Sequence, residues 1–251
     1  MSEYFHFLCH DLCLMILPGI TCIEHGAVER LIRRRGHMNT VRNTGHSFAA
    51  ANEEFERAWE NQRHTRVELP AVDVNEVLSD RYEVSKPVQL TRSMVWDMEL
   101  KKAWDPASYI PYVVSRKHSW GRHFLDDGNE RLFREITAQA WIANTSGLVL
   151  EDVFINHKEQ KIVFLGRAEL ETETGKTIRT NGFQPLFHVR HAVGGTEGHP
   201  LNLWRIVILT ENNDRQFHRP FEEMVKAGGL PGFLEIYIEK DLHVKLTRRQ
   251  P

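Results

Sequence analysis

The sequence predicts an α+β protein because three patterns follow one another along it. A strand and two short helices lie between Tyr82 and Ile110, strand-like alternation runs from Pro111 to Thr210, and a helix-competent stretch closes the chain. Residues 1–80 precede this series and read as an extension, partly helical, with the main domain over 82–251. The extension's clearest element is a helix over Phe48 to Trp59, capped by Ser47, with Phe48, Phe55 and Trp59 among its apolar positions. Leu69 to Leu78 reads as a connector with one helical turn after Asp73.

Tyr82 to Val88 alternates as a strand does, and Pro87 ends it or places it at an edge, since proline has no N–H for a ladder. Thr91 caps the next helix, on which Trp96, Leu100, Ala103 and Trp104 share a face, with Asp97, Lys101 and Lys102 on the others. Asp105-Pro106 stops it and starts a second short helix through Tyr109, because proline suits the first helical turn. Strands follow over Val113–Phe124, Glu130–Trp141 and Leu148–Asn156, separated by Asp126-Asp127-Gly128-Asn129 and Asn144-Thr145-Ser146-Gly147. After a reversal at His157 to Gln160, Ile162, Phe164, Gly166, Ala168 and Leu170 define one face of the next strand. Thr177–Arg190 and Leu201–Thr210 complete the series, with Gly194, Gly195 and Gly198 in the loop between them. Pro220 and Gly228-Gly229 bound a helix carrying Phe221, Met224 and Val225, and Pro231 to His243 reads as the terminal helix.

Composition excludes more than it assigns. The hydrophobic share of 41% and charged share of 26% are those of a chain that buries a core. A net charge of -2 gives no global attraction to nucleic acid or anionic membranes, and neither a nucleic-acid partner nor stable membrane insertion is expected. The apolar stretch Leu12 to Ile23 is broken by Pro18-Gly19 and falls short of the roughly 20 residues that span a bilayer. Glu3 and Asp11 precede it where a secretion signal would carry lysine or arginine. With three cysteines and no disulfide framework, the protein is expected to be cytoplasmic.

At Leu90 to Val114, LTRSMVWDMELKKAWDPASYIPYVV, the sequence resembles the opening of START-like (SRPBCC) proteins, in particular the AtaL-like branch of fungal secondary metabolism. Thr91-Arg92, Val95-Trp96, Asp105-Pro106 and Ile110-Pro111 carry the resemblance, which covers about 82–251. It implies a START-like helix-grip fold, a curved antiparallel sheet around a C-terminal helix, with an internal pocket for a small apolar, partly oxygenated molecule. The function it implies is ligand binding in secondary-metabolite biosynthesis. The alternative is a polyketide cyclase or aromatase-like enzyme on the same scaffold, and a lipid-transfer module is weaker. No cofactor is expected.

Candidate pocket residues are the aromatics Phe154, Phe164, Phe183, Phe187 and Trp204 on strands and Tyr109 and Tyr112 near the mouth; core packing is the competing reading of each. Arg134 shares the apolar face of Leu132, Ile136 and Ala138, so it needs a ligand carboxyl or carbonyl, or a structural carboxylate, beside it. His188 is the one catalytic candidate, as a base or hydrogen-bond donor on an apolar strand. Cys9, His10, Cys13, Cys22 and His25 lack zinc-site spacing, and no metal is expected. Arg30 and Arg33 to Arg35 read as a solvated helix face. No Walker loop, dinucleotide fingerprint, HExxH or Gly-x-Ser-x-Gly motif is present.

Overall fold

The structure, a computed structural model, describes residues 47–249. The cysteine and histidine cluster, the arginine run and Met38 lie outside the described residues. In chain order the elements are α1 (Phe48–Glu60), β1 (Thr65–Glu68), β2 (Val72–Asp73), α2 (Val74–Arg81), β3 (Tyr82–Val84), α3 (Arg92–Trp104) and α4 (Pro106–Tyr109). Then come β4 (Val114–Phe124), β5 (Glu130–Gln139), β6 (Ser146–Asn156), β7 (Lys161–Arg167), β8 (Glu169–Glu171), β9 (Thr177–Arg179), β10 (Phe187–Gly195) and β11 (Pro200–Ile208). A 3-10 turn at Arg215–Phe217 leads to α5 (Arg219–Ala227), α6 (Gly232–Lys240) and β12 (Leu246–Arg248).

The main sheet has eight strands in the order β1-β11-β10-β7-β6-β5-β4, with β2 also on β11, and all its pairings are antiparallel. Period-two geometry gives it two faces. Leu132, Val153, Phe164 and Val189 line up across the sheet on the inner face, where they join Met98 of α3 and Leu234 and Ile238 of α6 in the largest core. The sheet thus grips the terminal helix, as the α+β reading expects. Phe154, Val163, Leu165 and Val207 lie on the outer face and are covered by Phe48, Ala51 and Phe55 of α1.

The boundary expected near Tyr82 does not coincide with a break in packing. Thr65–Glu68 pairs residue for residue with β11, and Val72 and Asp73 pair with its other end, so residues 47–80 complete the sheet and cover its outer face. Two other departures have local causes. The strand expected over Thr177–Arg190 is two, because Gly182 turns with φ 66° and Pro185 offers no N–H to a ladder. The Tyr82 strand stops at Val84 and pairs with β12, apart from the main sheet.

Candidate functional site

In the space between sheet and helices, where an enclosed cavity is expected, Leu132, Val153, Phe164, Phe233 and Leu234 form a buried apolar core. Embedded in that packing is a cluster of charged and polar side chains. Glu99 and Lys102 stand three residues apart on α3, on the same side of the helix, with His191 and Asn202 opposite them on β10 and β11. Glu99 is 0% exposed, and Lys102 and His191 are each 4% exposed. Nζ of Lys102 lies 2.7 Å from Oε2 of Glu99 and 2.9 Å from Nδ1 of His191. Nδ1 is also 3.2 Å from Oε1 of Glu99, which accepts from Nδ2 of Asn202 at 2.8 Å. The Glu99 Oε2 contact is ionic rather than a well-aligned hydrogen bond, so this oxygen keeps unused acceptor capacity. On the far side of the imidazole, the Trp204 indole N–H donates to Nε2.

Aromatic rings wall the cluster. Lys102 Nζ sits 3.7 Å from the centre of Phe233, while Phe164, Trp204 and Phe233 all meet the His191 ring near edge-on. Burial in this low-dielectric setting pushes the Lys102 ammonium down to about 8, against the pull of Glu99 and with help from the Arg134 charge. Burial likewise lowers His191 to about 4. Burial alone would raise Glu99, but the facing His191 and Lys102 draw it down to about 2. Since His191 is neutral near pH 7, Lys102 and the Asn202 amide are the partners that hold the Glu99 carboxylate there.

Three of the sequence-predicted residues meet at this place. Phe164 and Trp204 wall it, and Arg134 borders it on the inner face. Arg134 has a structural carboxylate beside it: it pairs with Glu151 and gives one N–H group to the carbonyl of Ala103 at 3.1 Å and, at 3.4 Å, to that of Lys102. It therefore ties the last turn of α3 to the sheet, where a cation also suits the helix dipole. The others are elsewhere. Phe154 is on the outer face beneath α1. Phe187 and Phe183 belong to a second inner core with Trp141, Phe217 and Phe221. Tyr109 is buried with its hydroxyl donating to Asp241 at 2.9 Å, and Tyr112 lies against Gly232 at the start of α6.

His188 also faces outward, its Nδ1 accepting from the Gly166 N–H at 3.1 Å and its Nε2 lying 3.9 Å from Glu54 of α1. The histidine of β10 that faces the cluster is His191, on the same inner face as Phe187, Val189 and Val193. That period-two register is the sequence signal for it. Glu99 and Lys102 carry a weaker signal, two opposite charges at helical spacing beside Ala103, and the helical pattern alone puts Lys102 on a solvent-facing side.

A ligand-sized concavity, open to solvent, is lined by none of the cluster's residues. It has a volume of about 460 Å³ and lies between β1 and α5, with Val67, Leu69, Phe221 and Val225 as its apolar surface and Arg66, Glu222 and Lys226 around them. Leu69 donates its backbone N–H to the carbonyl of Trp204 at 3.1 Å, so the strand that floors the groove abuts the residue whose half-buried indole caps the cluster. Among the described residues no set of His, Cys, Asp and Glu could hold a metal ion, and no helix is long and apolar enough to cross a membrane.

No family model matches the sequence, and no curated protein does. Solved structures resemble its fold. The Zhui aromatase/cyclase from Streptomyces sp. R1128 is 10% identical, with 70% of this chain and 95% of that one covered at a TM-score of 0.41. A protein from Thermus thermophilus is 14% identical, with 72% and 97% covered and a TM-score of 0.40. The di-domain aromatase/cyclase StfQ of the steffimycin biosynthetic pathway is 13% identical; this chain covers 60% of it, through 78% of its own length, at a TM-score of 0.40.

Proposed function

We propose that this chain is an enzyme that acts on a small, partly apolar, carbonyl-bearing molecule, a cyclase or aromatase-like catalyst of the polyketide type. The observation that supports it is the buried Glu99–Lys102–His191 cluster. Placing a carboxylate, an amine and an imidazole in a dry interior is costly, and a ligand-storage protein with an apolar pocket gains nothing from it. Enolisation and ring closure of a β-dicarbonyl compound need such a set: a base for the α-proton, a donor for the developing enolate oxygen, and water excluded from both. Glu99 serves as the base through Oε2, which keeps acceptor capacity beside its contact with Lys102, and Lys102 with His191 as the donors. Arg134 positions Lys102 by holding the turn of α3 that carries it. The stretch that resembles the AtaL-like branch is the one that supplies Glu99 and Lys102.

The direct test is α-proton exchange of acetylacetone in deuterated buffer, followed by NMR. Wild-type protein should exchange the protons faster than buffer alone, and Glu99→Gln should lower the protein-catalysed rate by about a hundredfold or more. The groove between β1 and α5 favours a second reading, ligand binding without chemistry. Saturable binding of the diketone with no acceleration of exchange would establish that reading and remove the enzymatic one.

A further inference from the structure

The cluster contains more hydrogen-bond donors than an ordinary ion pair permits. Buried polar atoms are matched donor to acceptor almost without exception, so its protons can be counted. The indole N–H of Trp204 can only donate, which makes Nε2 of His191 the acceptor and leaves the proton of the neutral ring on Nδ1. Nδ1 faces Nζ of Lys102 at 2.9 Å. An ammonium has three donors and no acceptor, so while Lys102 is charged the Nδ1 proton turns to Oε1 of Glu99 at the longer 3.2 Å and the 2.9 Å contact sets two donors side by side. Loss of one proton from Lys102 relieves this contact: the free amine can accept from Nδ1, and its own N–H groups turn toward Oε2 of Glu99, 2.7 Å away, and toward the face of Phe233. The Arg134 guanidinium, donating to the carbonyl of Lys102 itself, adds a fixed positive charge that opposes a second one. The bland alternative, a Glu–Lys ion pair that merely glues α3 to the sheet, sends the Nδ1 proton to Oε1 of Glu99 at 3.2 Å and leaves the closer 2.9 Å contact between Nδ1 and Nζ as two donors facing each other.

We propose that Lys102 is a nucleophile that condenses with a ketone or aldehyde carbon of the substrate to form an imine. This deepens the enzymatic reading above and rests on it. The Nζ lone pair forms the new C–N bond as the carbonyl π electrons move onto oxygen. The two amine protons pass to that oxygen, with His191 Nδ1 within reach to relay them, and the C–O bond breaks to release one water. No oxidant, reductant or metal enters the balance. The imine, once protonated, draws electrons from the adjacent carbon, whose proton Glu99 is placed to take.

The full-length wild-type protein treated with acetylacetone provides the test, read by intact mass and by peptide mapping. The expected result is a single adduct, the mass of one diketone less one water, at Lys102, formed faster as the pH is raised through the range where the amine becomes free. Lys101, one residue away and with its side chain 39% exposed, is an internal control that should stay unmodified at the same exposure. Absence of the adduct, or modification of Lys101 and the exposed lysines at comparable rates, overturns the proposal. Lys102→Met alone would strand the Glu99 carboxylate, so the double variant Glu99→Gln, Lys102→Met, which removes both charges at similar volume, is the folded control. It should melt cooperatively and form no adduct at residue 102. Proton exchange measured on the same wild-type sample separates the covalent step from the acid–base chemistry. Exchange with Lys102 unmodified removes the covalent step and keeps the acid–base enzyme, whereas loss of both removes the enzyme itself.

Discussion

Arg134 and His188 have buried environments that dictate opposite charge states. Arg134 faces Glu151 and two helix carbonyls, so Arg134→Met leaves a buried carboxylate unpaired and should lower stability by about 3–5 kcal/mol in urea unfolding. A loss below about 1 kcal/mol would show that the pair is solvated. His188 is neutral: burial depresses it to about 4, with Glu54 opposing and Arg167 assisting. The unfolded chain takes up this proton near pH 6.5, the folded one only near 4, so between those values the unfolded state binds more protons and stability falls as pH falls. This stability is fully present above about pH 6.5. His188→Gln should remove a loss of up to about 3 kcal/mol between pH 6.5 and 4 that the wild type shows. Identical pH slopes in the two proteins would mean that His188 is already charged in the fold. His191 and Glu99 have the same sign and act in both proteins equally. Neither His188 nor His191 could be assigned from residue type, because three positions along a strand reverse the face, and only the register with Val189 and Val193 separates them.

At the scale of elements, the local chemistry was readable wherever a backbone group had to be satisfied. Thr91 accepts from the Met94 N–H at 3.1 Å and caps α3 as its position predicted, Pro106 opens α4, and Gly128 turns the β4–β5 hairpin with φ 76°. The same hairpin holds α1, since Asp127 accepts from the Phe48 N–H at 3.3 Å. What could not be read was how far α1 and β1 belong to the domain, because four paired residues in β1 carry too little periodicity to announce a sheet edge. Their importance is testable. Phe55 is fully buried against Val163 and Leu165 while Arg167 pairs with Glu54 on the same helix, so Phe55→Ala should cost about 3–5 kcal/mol. A chain beginning at Tyr82 loses α1, β1 and β2 together, exposing the outer core and turning β11 into an open edge. It should aggregate, whereas a chain beginning at Met38 keeps all three and should melt cooperatively. A soluble, cooperatively melting protein from the Tyr82 start would make α1 an appendage after all.

Across the described residues, the sheet is covered on both faces, by α1 outside and by α3, α4 and α6 inside, with a buried apolar core on each face. Aromatic strand positions could not distinguish the two outcomes in the sequence, because Phe164 and Trp204 line either a cavity or a core with the same alternation. With Lys102 only 4% exposed, a substrate reaches it from solvent only if part of the cover opens, and packing indicates which part. Of the nine residues of α5 only Phe221 is buried, Val225 is 44% exposed, and Gly228 with φ 63° ends the helix on a turn that glycine adopts without strain. By contrast, β6 and β7 are buried along most of their lengths. Local opening follows buried contact, so amides of α5 should exchange with deuterium well before those of β6, β7 and α3, which wait for global unfolding. Acetylacetone bound at the cluster should slow α5 and leave the strands unchanged, because only the opening element is coupled to occupancy. If α5 exchanges as slowly as β7, or is indifferent to the diketone, the route past Leu69 and Trp204 is closed, and access to Lys102 requires separating α6 from α3 instead.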